Sequence, residues 1–181
     1  AAMGEVAESP KDIFSMFNNA DIRFPEITGE DGHPVQVTHG RYMSLMQSRN
    51  RQVRKDAFEA MYGVYGDWRN TLAAMYRANV KQEAFLAKAH KYTSDLEAAL
   101  DGSHIPVKVY EQLIEAVHES MPLMYRYMKL RKKLLGVEEL HMYDLYVPVI
   151  EQDHSEIPFE QAKKTVLEGQ IGRATSELQS H

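Results

Sequence analysis

Val53-Arg54-Lys55-Asp56-Ala57-Phe58-Glu59-Ala60-Met61-Tyr62-Gly63-Val64-Tyr65-Gly66-Asp67-Trp68 is the stretch that decides the fold. Its apolar residues stand at Val53, Ala57, Met61, Tyr65 and Trp68, and the series continues at Leu72, Tyr76 and Val80, each three or four positions from the last. That spacing follows one face of an α-helix and not the alternation of a strand. It predicts one long helix of up to about 40 residues starting after Asn50, with Gly63 and Gly66 as places where it bends.

Upstream of this stripe the period is two. Ile22 to Ile27 and Val35-Gln36-Val37 flank the turn-rich Gly29-Glu30-Asp31-Gly32-His33-Pro34, the pattern of a small β-hairpin. Pro25 demotes its first strand to an edge. Ser9-Pro10-Lys11-Asp12 has the cap, proline and acid of a helix start, and predicts a short helix through Phe17. Tyr42, Leu45 and Met46 mark another short helix.

Downstream, Ser94-Asp95-Leu96-Glu97 is a capping box for a helix that stops at Asp101-Gly102. Ile105-Pro106 opens the next helix, with Val109, Leu113, Ile114 and Val117 on its apolar face and Gly136 as its C-terminal cap. Pro122 must kink that helix or begin a new one capped by Ser120, because proline lacks the N–H and clashes with the preceding turn. Leu140 to Ile150 is apolar and aromatic without a helical period and reads as extended. Ile157-Pro158-Phe159 begins a last helix reaching about Glu168, and the polar tail from Gly169 to His181 is expected to be frayed or disordered. The fold class is mainly α, a helical lobe with one long helix and a small hairpin near the start.

Composition narrows the function. The chain has 181 residues, 44% apolar and 26% charged, and is therefore not disordered as a whole. If it folded as a monomer of ordinary compactness it would bury roughly 70% of its unfolded surface. A net charge of -5 argues against a nucleic-acid partner. With no cysteine there are no disulfides, thiolate nucleophiles or Cys-ligated metals. No apolar run is long enough to span a membrane, and Ala1 to Ser9 lacks the pattern of a signal peptide, so a cytoplasmic location is expected. Ala1 in place of Met points to a cut or processed chain.

Candidate chemistry is sparse. His118-Glu119 begins a zinc-peptidase motif, but the position four after His118 is Pro122, and half a ligand pair does not hold zinc. Glu115-x-x-His118 and Glu151-x-x-His154, completed by Glu59 and Glu83, match the composition of a di-metal carboxylate site. Glu151 and His154, however, fall between Pro148 and Pro158, where helical spacing is not available. His141 and Asp144 form a further pair, better suited to structural hydrogen bonding than to chemistry in the absence of a third group. The basic clusters Arg49, Arg51, Arg54, Lys55 and Lys129, Arg131, Lys132, Lys133 are expected to be solvated faces, the second complementing a helix dipole. No residue emerges as catalytic, cofactor-binding or metal-ligating.

Several stretches in order resemble the oligoendopeptidase F type of zinc metallopeptidase, a branch of the thimet oligopeptidase-like enzymes. They are Asn18-Asn19-Ala20-Asp21-Ile22-Arg23-Phe24-Pro25, Thr38-His39-Gly40-Arg41-Tyr42, Arg54-Lys55-Asp56-Ala57-Phe58, Asn70-Thr71-Leu72-Ala73 and Ile105-Pro106-Val107-x-Val109-Tyr110. Most specific is Leu130-Arg131-Lys132-Lys133-Leu134-Leu135-Gly136 followed by Glu139-Leu140-His141-Met142-Tyr143-Asp144-Leu145-Tyr146-Val147-Pro148. The resemblance runs from about Glu5 to Glu168. It implies a helical, two-lobed peptidase around a deep channel admitting short peptides, with zinc on a His-Glu-x-x-His helix whose Glu polarises water.

That motif is absent from the 181 residues. The resemblance therefore implies a segment comprising an N-terminal lobe portion (1–67), the start of the catalytic domain (68–168) and a non-native tail (169–181). Zinc belongs to the parent, and the segment alone is expected to be inactive. Its partners would be oligopeptides and the remainder of the catalytic domain, and its exposed apolar surface predicts self-association. Two alternatives stay open, a stand-alone helical module that binds peptides or scaffolds, and the di-metal protein.

Overall fold

The computed structural model describes residues 2–150 and 157–178, with side chains over 8–150 and 157–169. In chain order the elements are α1 (Ala2–Met16), a π turn (Phe17–Asp21), β1 (Glu26–Thr28), β2 (Pro34–Gln36), α2 (His39–Met46), α3 (Arg51–Asp67) and α4 (Arg69–Ala89). Then follow α5 (Asp95–Asp101), α6 (Val107–Leu135), a 3-10 turn (Met142–Asp144) and α7 (Phe159–Leu178). The chain divides into two compact units, Ala1–Val149 and Ile150–His181.

The fold is mainly helical with one small hairpin, as the period-two and period-3.6 segments predict. β1 and β2 pair antiparallel, Ile27 opposite Val35. Gly32, at φ 79°, occupies the left-handed turn position that favours glycine, and Asp31 accepts the His33 N–H at 3.0 Å. At Gly29 a Cβ would lie 2.8 Å from Val35 Cγ2, so a side chain there would push the strands apart.

Several boundaries differ from the sequence reading. α1 begins at Ala2 and carries Pro10 inside it. The good helix formers before Ser9 continue the helix past the local start signal, at the cost of one backbone hydrogen bond. The stripe after Asn50 is two helices and not one: they meet at Trp68 (φ -90°, ψ 8°), beyond both glycines. Trp68 N–H still bonds Val64 O at 3.2 Å and Leu72 N–H bonds Trp68 O at 2.9 Å, so the backbone ladder is bent more than broken. The Trp68 ring meets Phe17 edge-on, with centroids 5.3 Å apart.

α6 runs unbroken through Pro122 for 29 residues. Ser120 does not cap a new helix; its hydroxyl donates to Ala116 O at 2.9 Å, within the same helix. Gly136, at φ 64°, ends it in the left-handed conformation expected of a C-terminal cap. The segment read as extended over Leu140 to Ile150 instead folds around the 3-10 turn, and α7 continues past Glu168 to Leu178.

The core is small. Phe17, Ile22, Phe24, Val37 and Met61 form it, with Tyr42, Leu45, Tyr65, Leu72 and Met75 packed partly against it.

Candidate functional site

The most strongly built polar site is centred on Asp144, whose side chain has no exposure to solvent. α3 supplies two of its partners. Arg51 and Arg54 are three residues apart and share a helical face, next to the buried Val53 and Ala57. Arg51 binds the carboxylate in a fork, Nε to Oδ1 at 3.1 Å and Nη2 to Oδ2 at 2.9 Å. Arg54, 3% exposed, donates Nη2 to Oδ1 at 2.8 Å. The backbone N–H of His141 donates to Oδ2 at 3.0 Å and closes the 3-10 turn.

The arginines also gather main-chain carbonyls. Arg54 Nε reaches Tyr143 O at 3.0 Å and its Nη1 reaches Ser48 O at 2.8 Å and Arg49 O at 3.1 Å. Arg51 Nη2 reaches Glu139 O at 3.0 Å. From α6, the buried Arg131 donates Nε to Asp144 O at 2.9 Å and Nη2 to Val147 O. Three guanidinium groups on two helices thus hold the loop that follows α6. Among the described residues no buried side-chain polar atom lacks a partner.

Burial by itself would raise the Asp144 carboxyl's pKa, since desolvation penalises charge. Hydrogen bonds from Arg51 and Arg54, the His141 N–H and the charge of Arg51 outweigh it and hold the group at about 2. It is ionised under all ordinary conditions with both oxygens occupied. Such a carboxylate has no lone pair free for proton transfer or a metal, so its chemistry is that of a clamp.

A second polar cluster lies where the π turn and α2 approach α3. Tyr65 Oη donates to Asn18 Oδ1 at 2.7 Å and lies 2.8 Å from His39 Nε2. With the hydroxyl proton directed at Asn18, the oxygen accepts from an N–H on His39 Nε2. Phe24 packs edge-on against the His39 ring with centroids 5.1 Å apart. Burial pushes the Tyr65 hydroxyl's pKa up, with help from Tyr62, and the same cause raises Tyr42 to about 12. Both stay neutral phenols.

The residues flagged in the sequence fare unevenly. The His141–Asp144 pairing is structural, through the His141 backbone, while the imidazole stacks on Tyr143 with centroids 4.9 Å apart. The expectation that both basic clusters are solvated faces is wrong for Arg54 and Arg131, which are buried, and for Arg51, which is bound to Asp144. The available signal was position: Arg54 stands three before Ala57 and seven before Met61, on the buried face itself. Lys55 pairs with Glu59 at 3.8 Å.

Glu83, Glu115, His118 and Glu119 are exposed, and Glu151 and His154 lie outside the described residues. Among the described residues no three His, Asp or Glu side chains come together in a way that holds a metal. The zinc that the resemblance implies needs three or four such ligands, so the residues described here do not fit it.

A helical chain with this clamp has clear relatives. The sequence pattern of peptidase family M3 matches residues 44–173, and the chain belongs to that family. It is similar to oligopeptidase PepF of Bacillus subtilis (strain 168), 43% identical over 169 residues that make up 93% of this chain and 25% of that protein. An oligoendopeptidase F homolog of Lactococcus lactis subsp. lactis (strain IL1403) is 45% identical over 154 residues, 85% of this chain and 26% of that one. The crystal structure of oligoendopeptidase-F from Enterococcus faecium superposes with a TM-score of 0.80 at 47% identity, covering 82% of this chain and 29% of that chain. The chain therefore spans about a quarter of the length of the curated relatives it matches.

Proposed function

We propose that this chain is one stretch of a zinc metalloendopeptidase of the oligoendopeptidase F type, a cytoplasmic hydrolase of short peptides, and that this stretch builds wall and supplies no chemistry. One observation carries the reading: identity of 43–45% to an oligopeptidase and an oligoendopeptidase F homolog over most of this chain and about a quarter of theirs. The metal ligands and the water-activating Glu then come from other parts of the parent. Residues 1–67 belong to its N-terminal lobe and 68–168 to the start of its catalytic domain, the clamp on Asp144 tying α3 of the first to the loop after α6 of the second. No membrane partner is invoked; among the described residues no helix is long and apolar enough to cross one.

The test is to incubate the purified chain with a quenched fluorescent oligopeptide, with and without a chelator, and to measure bound zinc. The expected outcome is no cleavage above the blank and no stoichiometric zinc. Chelator-sensitive cleavage together with one zinc per chain would overturn the assignment of this stretch as wall.

A further inference from the structure

Three of the helices form the sides of a frame. α3, α4 and α6 have 17, 21 and 29 residues, which makes them rods about 25, 31 and 43 Å long. α3 meets α4 at Trp68, where the backbone ladder continues through the bend. α4 meets α6 through α5, a helix of 7 residues that packs on both. On either side of α5 the chain turns at Lys91 (φ 65°) and His104 (φ 52°), in the left-handed conformation that favours glycine. Each turn is closed by the residue after it, Tyr92 N–H bonding Ala87 O at 3.0 Å and Ile105 N–H bonding Leu100 O at 3.1 Å.

The third corner is made without help from neighbours in sequence. There the far end of α6 comes back to the start of α3. Arg131 of α6 holds the carbonyls of Asp144 and Val147, while Arg51 and Arg54 of α3 hold the Asp144 carboxylate. Between its ends α6 has no packed interface with α3 or α4 among the described residues, and positions 108–120 are all exposed.

We infer that the Asp144 clamp is the latch that closes this frame, and that opening it lets α6 swing about the α5 corner. Three rods joined end to end at two corners keep a free angle at each. Joining the remaining ends fixes both, because the sides of a triangle determine its angles. The clamp suits that task, since the two parallel hydrogen bonds from Arg51 fix direction as well as distance. Packing supplies no second closure along α6. For the parent the consequence rests on the assignment of this stretch as wall: the frame spans the boundary at 67/68, so the lobes do not hinge there. A hinge needs a few residues with few contacts crossing them.

The absence of cysteine allows spin labels to be placed at chosen positions. Paired cysteines replace the exposed Glu59 and His118, across the latch, or Glu59 and Lys81, across the Trp68 corner. In the full 181-residue chain, double electron–electron resonance should give one narrow distance distribution for each pair. Asp144→Ala should lose the narrow peak between 59 and 118 and keep the one between 59 and 81. If that variant unfolds and broadens both, Arg51→Ala decides the matter: it removes the fork, leaves the buried Arg54 on Asp144, and should broaden the 59 to 118 distance alone. A broad 59 to 118 distribution in the chain with its clamp intact would overturn the inference. So would a narrow one in folded Asp144→Ala or, where that variant unfolds, in Arg51→Ala. None of these distances depends on peptidase activity, so the frame and the wall assignment fail separately.

Discussion

α3 and α6 both donate arginines to the same loop, yet they are packed in opposite ways. α3 has 17 residues and buries Val53, Arg54, Ala57 and Met61 along one face. α6 has 29 residues and buries Arg131 alone. Both show a clear apolar period, so amphipathicity does not separate them. The difference lies in what faces them: the hairpin, α2 and the clamped loop cover α3, whereas α6 touches this unit mainly through its two ends. A helix of this length gains little from propensity alone and depends on tertiary packing. The comparison separates a helix whose face is already spent from one whose face is still available.

The largest test of that contrast is Asp144→Ala. The substitution leaves Arg54 buried with its carboxylate gone, although its bonds to the carbonyls of Tyr143, Ser48 and Arg49 remain. Breaking a buried pair from one side costs about 3 kcal/mol. Urea unfolding followed by circular dichroism should show that loss, and a loss under about 1 kcal/mol would mean that the clamp adds nothing beyond the packing around it.

Much of this fold was legible in the sequence because helices and turns are written locally. Period separated the hairpin from the helices, and Ser94 caps α5 by accepting the Glu97 N–H at 3.1 Å, as its capping box predicts. The helix junction at Trp68 was not legible, because its two neighbouring glycines carry the local signal and the bend instead occurs where the indole meets Phe17. The clamp was half legible. His141 and Asp144 stand out as a local pair, but the two arginines that bind the carboxylate are 93 and 90 residues away in sequence. Period tells which face a residue occupies, and only the fold tells what lies opposite. Arg54 was misread because residue type outweighed its position on the buried face.

Acid provides the next test. The Asp144 pKa is lowered from 3.8 to about 2, so the folded state holds the ionised form more strongly than the unfolded chain does. The stabilisation from this group is fully present above about pH 4 and is lost as pH falls through about 2. A shift of this size is worth about 2 kcal/mol. The wild-type chain should therefore lose more stability between pH 4 and pH 2 than Asp144→Ala does, measured by urea midpoints at each pH. Parallel acid limbs for the two proteins would assign the acid sensitivity to other carboxylates.

The smallest effect is expected on α6, and it is the one that decides whether the contrast between the helices is real. Leu123 is 68% exposed, so truncating it removes little area already withdrawn from water. Leu123→Ala should change unfolding free energy, measured by urea titration, by less than about 0.5 kcal/mol, the usual range for surface substitutions. A cost of about 2 kcal/mol would mean that this face of α6 is packed within the chain, and α6 would then belong with α3 as a helix whose face is spent.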